Sequence, residues 1–198
     1  MRVARTLTLN STVIEQVAEP VCGPGEVVCR VVASATCGSD VHGAYVERKL
    51  PAVLGHEVVG EVVACGFGVE SVTVGEVVVI HHHAPCGACR ICARGHETLC
   101  EQFRRTRLDP GGFAELVRVE AALVGELRPL GGLDPVAATC TEPLACALRA
   151  QDRLAVGADD VLLVVGAGAS GLLHIASAAP RRAPRPGCAP RRARGPPR

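Results

Sequence analysis

Tryptophan is absent from this chain, tyrosine occurs once and phenylalanine three times, so aromatic residues make up only 2% of 198. A core without large rings has to be filled by valine, leucine and alanine. Apolar residues, at 48% of the chain, are enough for such a core in one or two domains at this length. No apolar stretch reaches the roughly 18 residues that a membrane-spanning helix needs. The N-terminal run MRVARTLTLNSTV lacks the apolar segment and cleavage site of a secretory signal. Eleven cysteines, an odd number, do not sort into a closed set of disulfides, and these features together point to a reducing cytoplasm. Lysine occurs only at Lys49, and no acidic residue follows Asp160.

Charge is divided unevenly along the chain. The whole sequence carries a formal net charge of +1, but residues 179 to 198 hold seven arginines and no acid, which leaves residues 1 to 178 at −6. The terminal run APRRAPRPGCAPRRARGPPR has six prolines and no apolar periodicity, so disorder is expected there. Nineteen of its twenty residues are Ala, Pro, Arg or Gly, the four amino acids that have codons beginning with two G or C bases. With twenty arginines against one lysine, the composition indicates a G+C-rich gene and a reading-frame shift near Ala178 or Ala179. A genuine disordered tail is the alternative. Electrostatic contact of the arginines with nucleic acid is a weaker reading, because the tail has no interleaved aromatics and the remaining chain is acidic.

What is most informative is the run PCGACRICARGHETLC, in which Cys86, Cys89, Cys92 and Cys100 fall within fifteen residues. Turns of two residues bring successive sulfurs to one side of a loop, and a seven-residue return supplies the fourth ligand of a tetrahedral zinc. An iron–sulfur cubane competes, but its usual cysteine run has a three-residue last gap followed by proline, whereas here the gap is seven and Glu101 follows. Two disulfides or four idle thiols are the remaining readings. A closed four-sulfur site is structural, so any chemistry belongs elsewhere.

A second constellation is spread out: Cys37 in TCGSDVH, His56 and Glu57 in LGHE, and Glu142 in TEPLACAL. A thiolate, an imidazole and a carboxylate can hold zinc with one position open, the layout of a catalytic site. In this order, with the four-cysteine run between and a glycine-rich turn after, the chain resembles the zinc-containing medium-chain alcohol dehydrogenases, and most of all their sorbitol and threonine dehydrogenase branch. The resemblance runs from about Val27 to Ala178.

It implies that Cys37, His56 and either Glu57 or Glu142 bind a catalytic zinc, and that Ser39 and His42 form a proton relay. It also implies two zinc ions per chain, NAD or NADP as cofactor in the intact enzyme, and a small alcohol, polyol or amino alcohol as substrate. Only eighteen residues separate Cys37 from His56, so the loop lining the substrate pocket is short. A non-catalytic zinc-binding module is the second functional reading.

Valine-rich segments at 27 to 33, 58 to 64, 76 to 82 and 113 to 119, separated by turns such as Gly23-Pro24-Gly25, read as strands. They predict a small β-barrel that matches the family's chaperonin-10-like catalytic domain, in a mixed α/β chain. Residues 135 to 150 read as helical, with Glu142 projecting and Pro143 in the first turn of the second half. Val161 to Val165 reads as a fully apolar strand, and Gly166, Gly168 and Gly171 have the spacing of a Rossmann dinucleotide-binding turn. That fold needs an acid about 20 residues further on and several more βα units, and Arg191 stands near the place of the acid.

The expected organisation is therefore a zinc-binding catalytic domain over 1 to 150 with a zinc lobe at about 84 to 102. The first βα unit of a Rossmann domain would follow over 151 to 178, then a tail over 179 to 198. On this reading the chain is truncated or frameshifted and inactive alone. Oligomerisation is doubtful, because the family's cofactor domain often supplies the interface.

Overall fold

The computed structural model describes residues 1–179. The proline- and arginine-rich tail, with its expected disorder and frame shift, lies outside the described residues from 180 onward. Two units are distinguished, Met1–Glu142 and Pro143–Arg198.

The first unit holds eight strands: β1 (Arg2–Thr8), β2 (Ser11–Gln16), β3 (Val27–Ala35), β4 (Ala52–Val53), β5 (Glu57–Cys65), β6 (Val77–Ile80), β7 (Leu116–Val119) and β8 (Arg128–Pro129). Short helices α1 (Gly43–Val46), α2 (Glu101–Arg105), α3 (Ala121–Val124) and α4 (Pro135–Ala138) lie in its connections. The strands form a three-stranded sheet, β2-β1-β4, and a five-stranded sheet, β7-β3-β5-β6-β8, antiparallel throughout.

The expected closed barrel is not formed; both sheets are open. Closure needs the two edge strands to pair. β8 is two residues long and ends in Pro129, which has no N–H for a further ladder, while β7 pairs along β3 and, on its other side, meets only the isolated bridge Asp109↔Arg118 among the described residues. The smaller sheet reaches the segment before β7 through the isolated bridge Val3↔Ala114 and the Arg2–Glu115 ion pair, not through a continuous ladder.

Alternation decides what faces inward. Val78 and Ile80 on β6, and Val117 and Val119 on β7, are at most 1% exposed, while the intervening residues are half-buried. They meet Val27 and Cys29 of β3 and Val58 and Val62 of β5 in one aliphatic core. Two register shifts, at Val28/Cys29 and Val31/Ala33, interrupt the β3–β5 ladder. Such irregularities bend strands and increase their twist.

The helical run read over residues 135 to 150 is two helices. α4 starts with Pro135 at its first position, and the Asp134 Oδ1 accepts a bond from the Ala137 N–H at 2.9 Å. α5 (Thr141–Arg153) begins afresh, because Pro143 lacks an N–H and its ring would collide with the carbonyl of Thr139 in a continuous helix.

In the second unit, buried Gln151 on α5 donates to the His174 carbonyl at 3.0 Å and to Ser177 Oγ at 2.9 Å on α6 (Ala169–Ala178). The strand expected at Val161 to Val165 does not form. A strand exists by pairing, and Val161, Leu163 and Val165 are 93, 83 and 91% exposed with no ladder partner among the described residues. No helix among the described residues is long and apolar enough to cross a membrane.

Gly66, just past β5, packs against the turn that launches β3: its N–H donates to the Glu26 carbonyl at 2.8 Å, and a Cβ there would drive into the carbonyl oxygen of Gly23. Gly66→Ala is expected to lower stability by about 2 kcal/mol through forced backbone movement, measured as a lower urea midpoint at unchanged slope.

Candidate functional site

The register of β3 against β5 pairs Ala35 with Glu57. Cys37, two residues past the end of β3, therefore lies beside His56 and Glu57 at the start of β5. One ligand atom from each of the three falls within a group spanning no more than 4.8 Å. Glu142, in the first turn of α5, is not part of that group, but its charge is felt at Glu57.

Gly55 makes the approach possible. It has φ +89, and its carbonyl accepts from the Gly112 N–H at 2.8 Å, so that a Cβ there would meet the Phe113 ring and backbone.

Asp40 ties the parts together. Its Oδ2 accepts from the Cys37 N–H at 3.1 Å, its Oδ1 accepts from the Gly55 N–H at 3.4 Å, and the same Oδ1 stands 3.5 Å from His56 Nδ1. The Asp40 side chain is only 6% exposed. Burial opposes its ionisation, but the bonds from His56 and from the Cys37 and Gly55 amides outweigh this and keep its carboxyl below the usual range.

In return, the Asp40 hydrogen bond raises His56 to about 9 against the opposing effect of burial. Nδ1 faces Asp40, which leaves Nε2 as the ring nitrogen for a cation. Burial raises Glu57, and the charge of Glu142 adds to it, while the Cys37 and His56 side chains oppose.

Two groups of this site carry no role in the sequence reading: Asp40, inside the TCGSDVH motif, and the run His81-His82-His83 after β6. The histidine run was a visible signal, three of seven histidines directly following a buried strand. His82 packs its ring 4.8 Å from that of His56, and burial, reinforced by His83, holds it well below the usual imidazole range. Its Nδ1 has no hydrogen-bond partner. His83 Nδ1 meets the Thr106 carbonyl at 2.7 Å and is likewise pushed down, chiefly by burial.

The four-cysteine lobe is gathered too. Cys86, Cys89, Cys92 and Cys100 lie within 4.8 Å of one another, and Cys92 Sγ is 4.0 Å from that of Cys86 and 3.5 Å from that of Cys89. A disulfide would need about 2.05 Å, whereas four thiolates about 2.3 Å from a tetrahedral zinc stand about 3.8 Å apart. The donor set fits zinc.

Backbone amides aim at these sulfurs: those of Cys86, Cys89 and Cys92 donate to Cys100, Cys86 and Cys89 at 3.4, 3.4 and 3.5 Å. Such amides hold Cys100 down to about 6, while burial and the neighbouring thiols push Cys92 up to about 12. Four thiolates here need a cation to balance them.

Two cavities adjoin the Cys37 cluster. The larger, ≈ 520 Å³, is lined by His56, Asp40, His82 and His83 together with a set of basic side chains. The smaller, ≈ 400 Å³, is lined by Gly38, Ser39, His42, Tyr45 and Arg48. Ser39 and His42 thus share the smaller cavity, and Tyr45 and Arg48 line both.

In the second unit, Gly166 has φ +107 and Gly168 is the N-cap of α6. A Cβ on Gly171 would strike the Gly166 carbonyl. The turn therefore closes tightly onto the helix N-terminus.

A family model for the alcohol dehydrogenase GroES-like domain matches residues 23–129. The chain is 39% identical over 172 residues to L-threonine 3-dehydrogenase of Pyrococcus abyssi, an overlap of 82% of this chain and 48% of the relative. Among solved structures, acetophenone reductase from Geotrichum candidum in complex with NAD superposes with a TM-score of 0.78 at 28% identity, covering 91% of this chain and 55% of that one. 2R,3R-butanediol dehydrogenase from Bacillus subtilis superposes at 0.75 and 31% identity, covering 91% and 55%. The chain spans about half the length of the curated relatives it matches.

Two zinc equivalents are expected by elemental analysis. Cys100→Ala should retain one and lower the unfolding temperature, because structural zinc contributes folding free energy. At the Cys37 cluster a proton on His56 competes with the metal below about pH 9. Raising pH removes the competitor, so apparent affinity should climb about tenfold per unit between 7 and 9 from this group alone. Asp40→Asn, which removes the main cause of the raised value, should move that climb to lower pH in titrations against a chromophoric chelator.

Proposed function

The chain belongs to the zinc-type medium-chain alcohol dehydrogenase family, and on that premise we propose that it serves the oxidation of a small alcohol, polyol or amino alcohol with NAD or NADP as hydride acceptor. The observation that carries this is the convergence of Cys37, His56 and Glu57 at one end of the β3–β5 ladder. Three donors of sulfur, nitrogen and oxygen type leave one coordination position for substrate. In this reading Cys37, His56 and Glu57 hold the catalytic zinc, and Glu142 is an acid close enough to exchange with Glu57. Cys86, Cys89, Cys92 and Cys100 hold the structural one.

Zinc in a three-ligand site supplies Lewis acidity, which makes an alcohol hydroxyl easier to deprotonate. The protein's own groups then do the following. Asp40 keeps Nδ1 of His56 protonated and the ring oriented. Ser39 Oγ takes the proton from the substrate hydroxyl and passes it to His42, whose exposed ring delivers it to solvent. His82, held neutral beside His56, adds no positive charge that would compete with a bound cation.

The Gly166–Gly171 turn at the N-terminus of α6 is suited to a dinucleotide pyrophosphate, since glycines admit the backbone close to phosphate oxygens and the helix end favours anions. Residues 1 to 150 then form the zinc-binding catalytic part and residues 151 to 178 the opening of the cofactor-binding part. A reducing cytoplasm keeps the metal-binding thiols available.

Ser39→Ala tests the reading. In the protein containing this chain, it should lower kcat about 100-fold, leave KM within a small factor and leave zinc content at two. An unchanged kcat would remove Ser39 from the relay.

A further inference from the structure

The larger cavity is basic in a part of the chain that is otherwise acidic. Arg48 and Lys49, just beyond α1, and Arg104 and Arg107, at and beyond the end of α2, converge on its lining from segments more than fifty residues apart in sequence. Elsewhere on the fold Arg2, Arg5, Arg105, Arg118 and Arg128 each meet a carboxylate. The four cavity cations form no ion pair among the described residues.

Their side-chain bonds are to neutral groups, although the Arg107 backbone N–H donates to Glu120 Oε1 at 3.0 Å. Arg48 Nε donates to the Ala44 carbonyl at 3.0 Å, and Arg107 Nε donates to the Arg105 carbonyl at 3.3 Å. Lys49 Nζ donates to Tyr45 Oη at 2.8 Å and sits 4.0 Å from the centre of that ring. The one carboxylate in the lining, Asp40, is occupied by the Cys37 and Gly55 amides and by His56.

Four cations around one concavity repel one another, and the single lining carboxylate, Asp40, is already engaged with His56 and two amides. An anionic ligand does. A dianion gains about twice the interaction of a monoanion with the same cations, and guanidinium groups match the oxygens of a phosphate. His56 lines the same cavity, so a ligand held by its anionic end among these side chains has its remainder within reach of the proposed zinc site. A volume of ≈ 520 Å³ suits a small molecule and not a macromolecular segment.

We propose that the substrate of this site is a phosphate monoester of a small polyol, its phosphate bound by Arg48, Lys49, Arg104 and Arg107 and a distant hydroxyl presented toward His56. The proposal rests on the dehydrogenase reading and narrows its substrate class.

Calorimetric titration of the zinc-loaded chain with three ligands of one carbon skeleton, D-glucitol, D-gluconate and D-glucitol 6-phosphate, tests it without requiring turnover. The phosphate ester is expected to bind roughly tenfold or more tighter than glucitol, with gluconate between them. That advantage should shrink in about 0.5 M sodium chloride as the charges are screened. The double variant Arg104→Gln/Arg107→Gln, changed only at exposed side chains, should lose most of the advantage while keeping glucitol affinity and two zinc ions; Lys49→Gln should lose part of it.

Equal binding of glucitol and its phosphate overturns the anion site and leaves the polyol site standing. Gluconate binding as tightly as the phosphate overturns the assignment to a dianion. Full retention of the advantage in the double variant overturns the residues named. No binding by any of the three removes the polyol reading itself, and with it this proposal.

Discussion

The antiparallel pairing of β3 with β5 is the constraint on which the site depends. Cys37 and His56 are separated by eighteen residues of loop and helix, and neither has any local reason to approach the other. The ladder supplies it: Ala35 opposite Glu57 leaves Cys37 and His56 at the same end of two adjacent strands. A slip of one residue would turn every side chain on one strand to the other face. Val58 and Val62 would then leave the core, and Glu57 would leave its buried place beside Cys37. Packing of the core therefore specifies the cluster of Cys37, His56 and Glu57, because the same register satisfies both.

How much of this could be read beforehand follows from the range of the forces involved. The four-cysteine lobe was legible because its ligands are brought together by turns of two residues, a matter of local chain geometry. The Cys37, His56 and Glu57 set was legible only as a motif, since their meeting is a tertiary event. The central strands were visible as valine-rich runs, but whether a sheet closes depends on hydrogen bonds between its two edges. There Pro129 and the shortness of β8 decided against a barrel. Pro143 was legible as belonging to the first turn of a second half, since its ring is compatible with a helix start, but the break itself falls four residues back at Thr139. Val161 to Val165 had the composition of a strand and lacks a partner among the described residues. Asp40 and His82 went unassigned because their roles rest on what surrounds them, not on their spacing.

The two cysteine-containing sites handle charge differently. In the lobe, the four sulfurs lie within 4.8 Å of one another and the amides of Cys86, Cys89 and Cys92 offset part of the negative charge. At the Cys37 cluster a carboxylate, Asp40, stabilises a positive imidazole instead, and two further carboxylates stand near. The first arrangement is closed by its own ligands. The second keeps an acidic surround into which a divalent cation brings charge balance, and it borders a cavity from which a ligand can enter.

Asp40 has one further consequence, for the order of assembly. Its three contacts clamp the loop after β3 to the loop before β5 by protein bonds alone, so the donor atoms there are largely arranged by folding. Little conformational entropy remains to be lost when a cation arrives, and the ion can leave and return without the surrounding strands coming apart. In the lobe the corresponding bonds run from the Cys86, Cys89 and Cys92 amides to the sulfurs themselves, so without a cation the thiolates gathered there would repel one another. A cation in the lobe would thus be bound up with folding, whereas one at the Cys37 cluster would be a passenger on a fold already made.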